Sequence, residues 1–175
     1  LILGKRKGFG HMTSGAHNTP MVALGAALLW FGWFGFSAGS ALGDSFGNAD
    51  GECVAAIAAM NTLIASAAAC VSWMVTDKIA TGKSTLVGAC TGLVAGLVVI
   101  TPAAGFVEAW AALIMGIVVS PICFFCVSKL KYKLGYDDAL DAFGCHGIGG
   151  IVAGILTGIF CVPELSWTDY GGLLY

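Results

Sequence analysis

The feature that most constrains this chain is the grouping of its apolar residues. They fall in five blocks, about 20–42, 53–75, 86–100, 109–127 and 139–162, and every lysine and arginine lies outside them. About 20 residues at 1.5 Å each cross the ~30 Å of bilayer hydrocarbon, where only a helix or a closed barrel satisfies every backbone N–H and C=O. Blocks of this length predict an all-α polytopic membrane protein with five complete transmembrane helices. Composition agrees, with 58% hydrophobic and 10% charged residues against roughly 25% charged in soluble domains. The net charge of -2 describes the connections and gives no basic footprint for nucleic acid.

The chain opens on Leu1-Ile2-Leu3 and then Gly4-Lys5-Arg6-Lys7. A signal peptide would put the basic residues first, so the opening reads as the tail of a span cut upstream and the chain as a fragment. All 8 Lys and Arg (Lys5, Arg6, Lys7, Lys78, Lys83, Lys129, Lys131, Lys133) fall in connections of one parity, and the opposite connections hold Asp44, Asp50, Glu52, Glu108, Glu164 and Asp169. The positive-inside rule makes the basic side cytoplasmic. The outer mouth is then acidic, which concentrates a cationic solute.

Against this background one polar residue stands out. His146, in DAFGCHGIGGI (Asp141 to Ile151), lies in the fifth block. An imidazole at membrane depth needs a partner and is by default a functional site; the competing reading is a packing histidine satisfied by backbone or hydroxyls. Towards the outer end of the first block, aromatics crowd together in LWFGWFGFSAGSA (Leu29 to Ala41). Phe36 and Ser40 are four apart and share a helix face. A ring face beside a hydroxyl suits a small cation bearing N–H donors. Trp30 and Trp33 also read as interfacial anchors, with Trp33 a further candidate for the outer mouth. Asp141, at the edge of the fifth block, is a supporting candidate.

Other motifs dissolve on inspection. Ala80 to Thr85 (ATGKST) echoes a phosphate-binding loop, but Asp77 stands where its first glycine belongs and no strand precedes it. Cys123 and Cys126 have C-x-x-C spacing with no second ligand pair, so no metal is expected. The seven cysteines, mostly within apolar blocks, make no disulfide framework. Glycines recur every four residues at 88, 92 and 96 and at 150, 154 and 158, the small-residue pattern that lets membrane helices approach closely.

Three stretches carry a resemblance: HNTPMVALGAALLWFGWFGFSAGSAL (His17 to Leu42), GKSTLVGACTGLVAGLVVITPAAGF (Gly82 to Phe106) and GYDDALDAFGCHGIGGIVAGILTGIF (Gly135 to Phe160). The sequence resembles the ammonium transporter family, in its Amt/Mep branch, over its whole length. That resemblance implies an eleven-helix bundle of which these blocks are the sixth to the tenth, one pore per subunit of a homotrimer, and a place in the plasma membrane among lipid. It implies ammonium or ammonia as substrate, no cofactor and no enzymatic activity. His146 then matches the second of twin pore histidines, Phe36 one of two stacked gate rings, and Ser40 the hydroxyl of the outer ammonium site. Their partners are expected upstream of Leu1. Ser37 stands where the family usually has Asn and Ala16 where it often has Pro; neither touches these pore positions. Competing expectations are a sensor built on the same fold, an intramembrane enzyme using His146 as a base, and an unselective water or gas pore.

Overall fold

The structure, a computed structural model, describes residues 4–9, 15–41, 54–166 and 170–175. The regular elements among the described residues are all helices, as the apolar blocks predict. They are α1 (Thr19–Gly39), α2 (Val54–Thr81), α3 (Leu86–Ile100), α4 (Ala109–Leu134) and α5 (Phe143–Phe160). All but α3 are long and apolar enough to cross a membrane. With 15 residues, α3 reaches only about 22 Å, and turns from Thr101 to Phe106 carry the chain onward. Two π-helical turns interrupt the regular pitch, Cys126–Leu130 within α4 and Phe143–Gly147 at the start of α5.

Local chemistry sets the boundaries. The side chain of Asn18 accepts from Met21 N–H at 3.1 Å, and Pro20 occupies the first turn of α1, where a missing N–H does no harm. α2 runs six residues beyond Val75 because its last turn has a use for a carboxylate. Asp77 is buried and accepts from the backbone N–H and the hydroxyl of Thr85, both at 2.9 Å. Thr85 in turn caps α3 by accepting from Gly88 N–H at 3.0 Å. Gly82, at φ +83°, supplies the left-handed residue between them. ATGKST is therefore a helix–helix turn.

Packing centres on α2, which lies against α3 and α4. A Cβ added at Gly96 would lie 2.6 Å from the Ala65 carbonyl oxygen, and one added at Gly116 would lie 2.4 Å from the same atom. Two helices thus close on one peptide group of α2, an approach open only to glycine. Asn61 of α2, 1% exposed, donates to the carbonyls of Ala104 at 2.8 Å and Val107 at 2.7 Å, tying down the turns that follow α3. Of the two glycine series, only that of α3 packs this way. Among the described residues nothing lies within 4 Å of a Cβ placed at Gly150, Gly154 or Gly158.

α1 lies against both α2 and α3, and α5 lies against α3 and α4. At the end where α4 finishes, Arg6 pairs with Asp137 at 3.2 Å, and the rings of Phe9 and Tyr132 stack with centroids 5.7 Å apart. Lys5, Arg6 and the lysines of α4 therefore share one end of the bundle. At the other end Glu108 and Glu164 border a cavity of about 350 Å³. The acids expected beside them in the loops, Asp44, Asp50, Glu52 and Asp169, lie outside the described residues, as do Leu1 to Leu3 and Cys53.

Candidate functional site

α1 borders two cavities. Towards its C-terminal end, Phe36, Ser37 and Ser40 meet the start of α2 and the turns after α3 around a pocket of about 110 Å³. The Ser40 hydroxyl donates to the Phe36 carbonyl oxygen at 2.5 Å. With its hydrogen so committed, the oxygen is left as an acceptor. Trp33 stands behind Phe36, ring centroids 5.4 Å apart and planes at 49°. Its indole N–H donates to Thr101 Oγ at 3.0 Å, and Thr101 passes its own hydrogen to the Leu97 carbonyl at 2.8 Å. This chain of donors fixes the indole against the end of α3. The Ser37 hydroxyl is buried beside the pocket and has no hydrogen-bond partner among the described residues.

The second cavity, about 410 Å³, lies over α3 between the first half of α1 and the start of α5. Val22, Ala26 and Leu29 of α1 and Thr91 and Val94 of α3 make its wall mostly apolar, and His146 and Asp141 also line it. Leu29 borders this cavity and Phe36 the first, seven positions apart on one helix, so about 10 Å of α1 separates the two. His146 sits in the π-turn Phe143–Gly147 and is exposed among the described residues. The sequence places it in an apolar block; the structure places it in the opening turn of α5, towards the basic end.

Asp141 and Trp33, paired as supporting candidates, lie at different places: Trp33 at the pocket of Phe36, Asp141 beside His146. Asp141 precedes the membrane helix, and burial pushes its carboxyl above the usual carboxylate range while the Lys131 ammonium, bonded to it, pulls the other way. Among the described residues no three His, Cys, Asp or Glu side chains converge as a metal site. Sequence reasoning passed over Thr101, Lys131 and Asp138. Lys131 read only as one of the connection charges, and no local spacing signals the partners of any of the three.

Apolar helices, a ring-and-hydroxyl pocket towards one end of α1 and an apolar cavity holding an imidazole towards the other mark a multi-pass membrane protein. The profile described as Ammonium Transporter Family matches residues 1–175. The chain belongs to the ammonium transporter family, a family of transporters and not of enzymes. It is 49% identical over 175 residues to an ammonium transporter of Aquifex aeolicus, covering 100% of this chain and 38% of that protein. The Candida albicans Mep2 crystal structure superposes with a TM-score of 0.82 at 36% identity, over 98% of this chain and 38% of Mep2. A structure described as a Sensor Amt Protein also gives 0.82, at 27% identity, over 98% of this chain and 40% of the other. The chain thus spans about two fifths of the length of the relatives it matches.

Proposed function

We propose that the full-length protein carries ammonium or ammonia across a membrane along the α1–α3 side of this bundle. The observation that carries the reading is the placement of one acceptor-and-ring pocket and one imidazole-bearing apolar cavity along the same helix, α1. Ammonium, gathered by acids at the outer end, sits against the Phe36 ring, which replaces part of its hydration, and gives an N–H to Ser40 Oγ. Beyond Phe36 an apolar wall admits a bare cation only at high cost, and loss of the proton removes most of that cost. His146, with a second imidazole supplied by a helix outside this chain, takes up or relays the proton; potassium has none to give and is refused.

The basic end faces the cytoplasm, the membrane is the plasma membrane, and three subunits assemble with a pore in each. The positive-inside rule supports the first of these, and the family's general architecture the others. The test is His146→Ala in the full-length protein reconstituted in liposomes. Selective ammonium flux should fall by at least tenfold, or potassium should begin to permeate; unchanged rate and selectivity would remove His146 from the path.

A second reading rests on the likeness to the Sensor Amt Protein, namely that the pore binds ammonium and signalling is the output. Ammonium binding by the purified protein without flux into liposomes would favour it.

A further inference from the structure

We infer that Lys131 is a positioning residue for His146, acting from the end of α4 through Asp138 and Asp141 on the turn that carries the imidazole. The inference rests on the reading of His146 as a pore residue.

Lys131 is 6% exposed, although lysine is among the side chains least often buried. Its ammonium is bonded to the Asp141 carboxylate and donates to the Asp138 carbonyl at 3.3 Å. Both acceptors shape the start of α5. The Asp138 carboxylate accepts from the N–H groups of Ala142 at 3.0 Å, Phe143 at 2.9 Å and Gly144 at 3.1 Å, meeting the unpaired donors of the first turn. Asp141, at φ +55°, is the only residue other than glycine among the described residues in the left-handed region, a conformation that aspartate tolerates better than most. Its carbonyl takes the Cys145 N–H at 2.9 Å. One ammonium therefore holds both the residue that caps the turn and the residue whose unusual backbone launches it.

The turn itself is a π-turn, a rare form found often at functional sites, and it nests against the π-turn of α4. A Cβ added at Gly144 would lie 2.7 Å from the Val127 side chain, so the two turns touch where only glycine fits. His146 follows two residues later and lines the same cavity as Asp141. The other charges acting on Asp141 are Asp138 and Arg6. A buried ion pair is weak grounds for stability, since replacing both partners by neutral groups is often harmless. The same pair anchoring a capped, left-handed, π-helical turn controls where the imidazole points.

The test is flux into liposomes through the full-length protein, read as ammonium rate, ammonium-over-potassium selectivity and the pH profile of the rate. Asp141→Asn keeps a residue that tolerates the left-handed backbone and removes the charge. It and Lys131→Met should each lower the rate by roughly tenfold or more and alter selectivity and pH profile, and Lys131→Arg should restore much of all three. The double variant Lys131→Met/Asp141→Asn leaves no unpaired buried charge, so it should fold, yet still show altered selectivity and pH profile. If that double variant matches wild type in all three readouts while His146→Ala changes them, the positioning role is wrong and the transport reading stands. If His146→Ala changes nothing, the transport reading fails and takes this inference with it.

Discussion

The Ser72 hydroxyl of α2 donates to the Ile117 carbonyl of α4 at 2.8 Å, and that carbonyl is the one Pro121 leaves without its helical partner. Proline at position i has no N–H to offer the carbonyl at i−4, and in a bilayer no water takes its place. A neighbouring helix thus supplies the donor that α4 lacks. Ser72→Ala should destabilise the protein by about 1–3 kcal/mol. Pro121→Ala, which restores the helical N–H, should make the same serine change nearly neutral. Thermal unfolding of the two single variants and the double variant in detergent, read as a cycle, checks this; additive effects would show that the pair does not interact.

The Ala65 peptide group is closed upon from both sides by Gly96 and Gly116. Gly116→Ala puts a methyl where 2.4 Å is available and should cost about 1–3 kcal/mol by overpacking. Gly96→Ala should cost a similar amount. Measured together, the two should fall short of their sum, because the shift that admits one methyl loosens the contact met by the other.

Asn61 gives both amide hydrogens to carbonyls, those of Ala104 and Val107. Asn61→Asp keeps the shape but presents only acceptors to two acceptors, so it should be more damaging than Asn61→Ala. Loss of partners for the two buried carbonyls should cost about 1–3 kcal/mol each. Denaturation midpoints of the two variants give the order; a milder effect for the aspartate would overturn the assignment of the donor atoms.

Thr101 holds the Trp33 indole behind the Phe36 ring. Thr101→Val keeps the volume, removes the acceptor and should raise the ammonium concentration for half-maximal flux by roughly threefold to tenfold, the worth of about 1 kcal/mol. The maximal rate should move little, since the imidazole lines the other cavity, about 10 Å further along α1. A change confined to maximal rate would place Thr101 in a different role.

Much of the architecture was legible before any coordinates. Five apolar blocks correspond to the five helices among the described residues. The regular spacing of Gly88, Gly92 and Gly96 announced a close helix approach, which α3 makes against α2. The same spacing at Gly150, Gly154 and Gly158 announced it equally, yet those positions meet nothing among the described residues. Periodicity reports that a face is smooth and not which helix it faces.

The candidate site divides along the same line. Phe36 and Ser40 share one helix turn, and a four-residue spacing shows that without help from the rest of the fold; both line one pocket. His146 was conspicuous because an imidazole among glycines and aliphatics is chemically out of place. Its supports were not visible, because Lys131 and Asp141 are separated by a helix end, a left-handed glycine at Gly135 and a turn. Trp33 and Thr101 are further apart still, at 68 positions.

What the sequence determined by itself was the solvent and the scale: apolar runs long enough to cross hydrocarbon, basic residues kept to one side of them, and a few polar groups too costly to bury without purpose. Which of those polar groups meet was decided by the tertiary structure alone. Hydrophobic length is a property of consecutive residues, whereas a hydrogen bond such as that from Ser72 to Ile117, or from Asn61 to Ala104, exists only once two helices have packed at one angle and one register.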